Sequence, residues 1–387
     1  MNNSVNLSII ISCHSKTPYF QEMLDSLLSC GYHFNNTEIL ICDDASPAGG
    51  DGETARIYAS RYPRLIKCIR NEKNIGVSRS YNTLVSMAQG RYIMPFDSDD
   101  VFVKFDIDGA IRELDEHPEW CASYGKKLLF SAKDGYMGSS HGGDYSPFAL
   151  LLDPRMTHIG MIIRASDLKN TRGYMLPGGA VCKVADDVCM WSAICAGKIM
   201  HFKNEVRGLY RIHSGQETSL KARLFAEAYE TCRDTFLAEN NTVANKIRCD
   251  APFQLSEKEV IPAVVIAGIK FIRSKNPQER MGYLNIASQL MPFDYGIDEY
   301  RIKEYLAAND RDNAVRYALA MLANHSGKPY VVNVALGLAR QACTGNKMLE
   351  QRLSLAHQNA LQEFFTLSPE IKEQLNKSVA RFQNQRF

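Results

Sequence analysis

No CxxC pair and no zinc-like spacing joins the eleven cysteines of this 387-residue chain. Structural zinc sites and disulfide scaffolds need closely paired thiols, so scattered cysteines read as buried reduced thiols in a reducing compartment. Neither cations nor anions are in marked excess: 45 Lys+Arg face 43 Asp+Glu, a formal net charge of +2. That balance gives no support for a nucleic-acid partner, which ordinarily shows as a basic excess. No apolar run reaches the roughly 20 residues of a bilayer span. The longest, VIPAVVIAGIKFI at 260–272, is shorter. The start, MNNSVNLSIIISCHSK, has no basic n-region and reads as a first strand, not a signal peptide. No Gly-x-Gly-x-x-Gly follows that strand, which argues against a dehydrogenase. The expectation is a soluble chain, or one that lies on a membrane surface without crossing it.

The chain does have enough apolar residues, 45%, for a sizeable core. At about 150 residues per domain, its length suggests two domains or three. The first ~100 residues alternate strand and helix signals. LSIII (7–11) is the continuous apolar run of a strand covered on both faces. A helix follows, with Thr17 as N-cap, Pro18 at its first position and Gly31 after its end. EILICDD (38–44), LIKCIRN (65–71) and RYIMPF (91–96) read as further strands, with helices over ETARIYASRYP and GVSRSYNTLVSMAQG between them. This βαβαβαβ order predicts a mostly parallel sheet with helices on both faces. From 104 to 220 the pattern loosens: a helix, a strand, a Gly/Ser-rich loop at 131–148, a short strand and helix, a helix opening on Asp186 and Asp187, then strands into a polar loop.

In such sheets ligands bind beyond the carboxyl ends of the strands. Three ends are readable: Ser12-Cys13-His14, Asp43-Asp44 and Asp97-Ser98-Asp99-Asp100. Carboxylates crowded at the end of a buried strand are costly unless something positive pairs with them. A divalent cation fits, because two or three oxygens plus a diphosphate complete an octahedron.

Six stretches in order, LSIIISCHS, EILICDDAS, NEKNIGVSRSYNT, GRYIMPFDSDD, ADDVCMW and YRIHSGQETS, make the first ~220 residues resemble a family 2 glycosyltransferase of GT-A fold. The resemblance implies that Asp97-Ser98-Asp99 is the DxD motif, with Asp99 as direct metal ligand and Asp97 assisting through the ribose or the metal's water shell. Asp100 would join them or cap the next segment. Asp44 would accept from the N3–H of a uracil-like base, with Asp43 supporting the turn. Ser12 would face the base and His14 stack on it. Gly76 would let the backbone approach the ligand. Arg79 would point at the nucleotide, since the family's usual Arg is Tyr81 here, and Asn82 would lock loops together. Asp187 would be the catalytic base, with Asp186 its neighbouring alternative and Trp191 in the core. His213 would be a third metal ligand and Arg211 would touch the diphosphate. Ser214, Gln216 and Ser219 would lie on a loop that orders over the donor. Residues 131–160, with His158 a weak candidate, would border the acceptor. The implied activity is an inverting, Mn²⁺- or Mg²⁺-dependent sugar transfer, with a UDP-sugar as donor and a glycan or lipid-linked oligosaccharide of the cell surface as acceptor. The implied setting is cytoplasmic, at most peripheral at the inner membrane face.

The resemblance stops near 220. Residues 222–387 read as almost only helix, a bundle or a short irregular solenoid, with no clean repeat of about 34 residues. The expected division is therefore a GT-A domain over 1–221 and an all-α domain over 222–387. Arg301, Lys303, Arg311 and Arg316 read as a solvated face. The polar end, 376–387, is expected to fray. The helical part would dimerise the chain or dock a protein partner. Two rivals remain. A nucleotidyltransferase would carry a Gly-rich loop with a basic residue after the first strand, and ISCHSKTPYF lacks the glycine. A non-catalytic scaffold with a degenerate GT-A domain is opposed by the intact acids Asp97, Asp99 and Asp187.

Overall fold

The apolar runs that open the chain become the buried centre of a sheet. In this computed structural model, which describes residues 5–16, 18–140, 144–153, 156–182, 184–216, 224–324, 329–342 and 368–383, β1 (Leu7–Cys13) and β2 (Thr37–Asp43) are buried at every position. Helix α1 (Tyr19–Leu28) lies between them in sequence and buries Phe20, Met23, Leu24 and Leu27 at helical spacing. Thr17, Ser219 and the helix expected at 346–365 fall outside the described residues.

The order continues α2 (Asp51–Arg61), β3 (Ile66–Arg70), α3 (Val77–Met87), β4 (Tyr92–Pro95), β5 (Val101–Phe102), α4 (Ile107–Glu116), β6 (Trp120–Ser131), β7 (Gly135–Ser140), β8 (Ile162–Arg164), α5 (Ala165–Lys169), α6 (Asp186–Ile194) and β9 (Ile199–Arg211). The strands line up as β3-β2-β1-β4-β8-β6-β9-β5, with β7 on β6. Strands β3, β2, β1 and β4 are parallel, and so are β6 and β9. Strand β8 runs antiparallel between β4 and β6. The sheet is mixed and mostly parallel, as the alternation predicts, and antiparallel insertion begins where the sequence pattern loosens. Register sets the site: Cys13 stands opposite Asp43, and Pro95 opposite Ile10. The acids after β4 therefore emerge at the same edge as Ser12, His14 and Asp44.

One expected loop is partly strand. Residues 135–140 pair with β6 in a hairpin whose turn is held by Asp134 N–H donating to Ser131 Oγ at 2.8 Å. Its glycines and serines hid a strand because this β-edge lacks the apolar alternation that marks one.

The chain separates into two compact units, and the division is not a single cut near 221. One unit comprises Met1–Gly142, Met156–Thr235 and Glu370–Phe387; the other comprises Gly143–Arg155 and Phe236–Pro369. Helices α7 (Phe225–Glu239) and α8 (Asn241–Lys246) follow β9, and in the second unit α9 (Val260–Arg273) buries most of its residues. Phe148 packs on Phe271 and Tyr300, and its N–H donates to Asp294 Oδ2 at 3.2 Å, which ties 143–155 to these helices. Helices α10 (Pro277–Leu290), α11 (Tyr295–Ala307), α12 (Arg311–Asn324) and α13 (Pro329–Ala342) pack in succession. Arg301 departs from the solvated face expected of it. It is buried and donates to Asn285 Oδ1 at 2.7 Å, Ser288 Oγ at 2.6 Å and the Leu284 carbonyl at 3.0 Å. Arg311 and Arg316 are exposed. Helix α14 (Pro369–Gln383), of which all but Pro369 belongs to the first unit, has Gln374 donating to the Phe102 carbonyl and Ser378 buried, so the stretch expected to fray is helical as far as 383.

A buried ion pair fastens β9 to α1. Arg211 Nη2 donates to Glu22 Oε2 at 2.6 Å, between the rings of Tyr19 and Phe130. Removing one partner of such a pair strands the other charge, at about 3–5 kcal/mol. Glu22→Gln should lower unfolding free energy by that order in urea denaturation. A loss under about 1 kcal/mol would show that the pair does not hold these elements.

Candidate active site

Three clusters meet at the carboxyl edge of the sheet. The first holds Asp43 and Asp44. Asp43 pairs with Arg70 and accepts from Ser46 N–H at 2.8 Å, supporting the turn as expected. Gly52 packs against this pair so closely that a Cβ would collide with the carboxylate. Asp44 accepts from Asn71 Nδ2 (2.8 Å), Ile75 N–H (2.9 Å) and Gly76 N–H (2.8 Å). It thus joins β2 to the start of α3, and Gly76 adopts φ 90 there, a conformation that favours glycine. Ser12 is buried beside it, and His14 Nδ1 is buried with no protein partner among the described residues. An orphaned ring nitrogen at this edge is a group awaiting a ligand.

The second cluster is the acid run after β4. Asp99 Oδ2 faces Lys16 Nζ at 2.8 Å and His213 Nε2 at 3.1 Å. Burial pushes its carboxyl up, but the His213 hydrogen bond and the Lys16 ammonium outweigh that and hold it at about 2. Asp97 stands 3.3 Å from His158 Nδ1 and accepts from Tyr81 OH at 3.1 Å. Burial raises its carboxyl, and the His158 charge and hydrogen bond bring it below the ordinary range. Asp100 caps no helix. Its Oδ1 accepts from Arg211 N–H at 2.8 Å, its Oδ2 is a buried orphan, and burial with the Asp99 and Asp97 charges pushes it well up. Arg211 donates to Glu22 and to the Asp99 carbonyl, at 2.9 Å, two bonds that fix its place beside the acids. Gln216 closes the His213 loop, accepting from His213 N–H and donating to Tyr210 OH.

The third cluster opens α6. Asp186 and Asp187 form its first turn, preceded by Ala185 in the left-handed region at φ 58. Asp187 Oδ1 accepts from Val188 N–H at 2.8 Å. Burial and the Asp187 charge push Asp186 up to about 7, and burial also raises Asp187. Raised carboxyls move towards the range useful to a general base. His158 links this cluster to the second, with Nε2 3.0 Å from Tyr174 OH. Tyr174 stacks on Tyr81, and Asn82 fixes the 172–174 segment by donating to the Arg172 carbonyl and accepting from Tyr174 N–H, each at 2.9 Å. Trp191 is in the core. Arg79 stands exposed on α3 with no ion-pair partner among the described residues.

Three site residues escaped or nearly escaped sequence reading. Lys16 has a basic position right after β1 as its signal. Tyr81 takes a place at Asp97 in a motif that usually carries Arg. His158 stood only as a weak candidate. The oxygen and nitrogen donors of Asp99 and His213 converge. This set suits a hard divalent ion sharing its shell with phosphates. Among the described residues no three acid, imidazole or thiol groups already stand at metal-holding spacing.

Comparison with known proteins agrees with this geometry. Residues 8–157 match the family described as Glycosyl transferase family 2. The chain carries a family 2 glycosyltransferase domain of GT-A fold followed by a helical region, and it is an enzyme of the glycosyltransferase class. It is 25% identical over 241 residues to the "Putative glycosyltransferase EpsE" of Bacillus subtilis, a match spanning 62% of this chain and 81% of that protein. It is 26% identical over 228 residues to the Escherichia coli "UDP-Glc:alpha-D-GlcNAc-diphosphoundecaprenol beta-1,3-glucosyltransferase WfaP", spanning 57% of this chain and 82% of that one. The crystal structure of S. aureus TarS 1-349 in complex with UDP-GlcNAc superposes with a TM-score of 0.50 at 19% identity, covering 83% of this chain and 92% of the other, which speaks to fold. No helix among the described residues is long and apolar enough to cross a membrane.

Asp44→Ala should leave the Ile75 amide without its acceptor and the Gly76 amide with Asn74 Oδ1 alone, at 3.1 Å. A buried unpaired donor costs about 1–3 kcal/mol. Thermal unfolding should show that loss, and Asp44→Asn, which keeps one acceptor oxygen, should lose less. Equal stability of the alanine variant and wild type would show that the clamp is not formed in solution.

Proposed function

We propose that this enzyme is an inverting, divalent-metal-dependent glycosyltransferase that moves one sugar from a nucleoside diphosphate sugar, most simply a UDP-sugar, to a glycan or lipid-linked acceptor of a surface polysaccharide. The observation that carries the reading is the meeting of an acid–imidazole pair, Asp99 with His213, and a raised carboxylate pair, Asp186 with Asp187, at one sheet edge. The acceptor class is supported by the names of relatives such as WfaP.

Ser12, His14, Asp43 and Asp44 form the base end of the site. Asp44 offers a carboxylate to a pyrimidine N3–H, held by its own backbone donors. Asp97, Asp99 and His213 would hold Mn²⁺ or Mg²⁺, which supplies charge neutralisation on the departing diphosphate. Asp187 takes the proton of the acceptor hydroxyl. The acceptor oxygen then forms its bond to the anomeric carbon from the face opposite the diphosphate. The carbon–oxygen bond to the diphosphate breaks, its electron pair leaves on that oxygen, and the configuration inverts. Asp186 stands beside the base and is raised by its charge, so the pair titrates together.

A thermal-shift screen of UDP, GDP, CDP and dTDP, each with and without Mn²⁺, tests the donor site. At 100 times its dissociation constant a ligand specific to the folded state adds about 2.7 kcal/mol. The expected result is a Mn²⁺-dependent shift with UDP that Asp99→Ala abolishes. No shift with any diphosphate would overturn the reading. Asp187→Asn should cut kcat by about 10²–10⁴-fold while donor binding persists, as loss of a general base does. A variant with near-wild-type kcat would remove Asp187 from that role.

The raised carboxyls also fix a sign. Ionised carboxylate is the active form and burial raises Asp187, so activity should rise with pH through an acid limb that lies above the ordinary carboxylate range near 4. Asp186→Asn removes a neighbouring negative charge and should move that limb to lower pH. A pH–rate profile of kcat/KM with an unmoved limb would show that the two groups do not interact.

A further inference from the structure

We propose that Lys16 is a diphosphate ligand that rests on Asp99 in the empty site and passes to the donor's phosphates when a divalent cation takes Asp99. The inference rests on the nucleotide-sugar reading above and adds a residue to it.

Lys16 Nζ stands 2.8 Å from Asp99 Oδ2, the same oxygen that faces His213 Nε2 at 3.1 Å. A cation bound at that oxygen and an ammonium bound at that oxygen exclude each other, because both need its lone pairs and both are positive. The ammonium also donates to the Gly215 carbonyl at 3.4 Å, within the His213 loop. Its backbone does not move with it: Lys16 N–H donates to the fully buried Asp51 Oδ2 at 2.8 Å. The base of the side chain is thus anchored, and rotation about its four-carbon stem is what would carry the ammonium from Asp99 to a phosphate. Lysine suits this duty, as a compact charge with three donors on a flexible stem. The nearest new anion after the cation arrives is the diphosphate that cation binds. The lysine therefore keeps Asp99 ionised and paired while no donor is present, and adds a second positive charge on the leaving group once the donor is bound.

Isothermal titration separates the two duties, using wild type, Lys16→Met and Lys16→Arg, each with its fold checked by melting. The titrants are Mn²⁺ alone, and UDP and UMP in saturating Mn²⁺. If the wild type selects another diphosphate, that nucleotide and its monophosphate replace UDP and UMP. A charge-assisted hydrogen bond gained or lost changes affinity by about 10- to 100-fold. Lys16→Met should bind Mn²⁺ alone at least about tenfold more tightly and UDP at least about tenfold more weakly. UMP, lacking the second phosphate, should lose less than UDP. Lys16→Arg should restore UDP binding in large part. Unchanged affinity of Lys16→Met for either Mn²⁺ or UDP overturns the proposal, as does an equal loss for UMP and UDP. A wild type that binds no nucleoside diphosphate overturns the underlying donor reading, and this proposal with it.

Discussion

Desolvated carboxylate is the constraint around which this site is built. Asp97, Asp99 and Asp100 end a buried strand, and burial alone would push all three towards the neutral acid. Each is answered differently. His158 holds Asp97 ionised, and Lys16 with His213 hold Asp99 ionised. Asp100 receives a backbone donor, and its carboxyl stays well above the ordinary range. That donor is the amide of Arg211, whose side chain is itself fixed by Glu22 on α1 and the Asp99 carbonyl. The electrostatics of the donor edge therefore depend on β9 being in place. Strand β9 is in place because it pairs with β6 and β5. The mixed half of the sheet, beyond β8, thus supports the acids that end the parallel half.

Backbone strain marks the same edge. Five non-glycine residues among those described have positive φ, and three adjoin site residues: Ser15 between His14 and Lys16, Ala45 after Asp44, and Ala185 before Asp186. A left-handed non-glycine residue costs about 1–2 kcal/mol, and surrounding structure must over-determine it. At Ala185 the gain is a helix start that presents two acids without a side-chain cap competing for the amides. Strain and raised carboxyls coincide there, a pattern more characteristic of working sites than of scaffolding.

Sequence reading reached the parallel half of the fold and the acids because both obey local rules. Continuous apolar runs ending in Asp predict buried strands with a polar edge, and Asp43, Asp44, Asp97 and Asp99 all lie there. It did not reach the partners, because those are set by tertiary register. Lys16 and Asp99 are 83 positions apart and Glu22 and Arg211 are 189 apart. Arg211 and Arg301 read as solvent-facing or ligand-facing cations, but each is buried among acceptors that nothing in the local sequence reveals. His158 is the converse: a lone histidine gives a weak signal until Asp97 and Tyr174 are placed on its two nitrogens. The hairpin at 135–140 was missed because glycine and serine fit a strand edge without producing apolar alternation.

The division of the chain follows from the same long-range pairings. Residues 143–155 sit in the middle of the transferase sequence, yet Phe148 packs among the helices of the second unit and Gly268 gives its carbonyl room. Conversely, α14 closes the chain but belongs to the catalytic unit, with Gln374 on the Phe102 carbonyl of β5. Strand β5 pairs with β9, and β9 carries Arg211. A truncation that removes everything after about residue 230 would therefore strip a helix from the edge of the catalytic sheet, two strands from the Arg211 anchor. Loss of activity in such a truncation would not by itself assign a role to the helical unit. Internal replacement of 240–365, with α14 kept, is the change that isolates it.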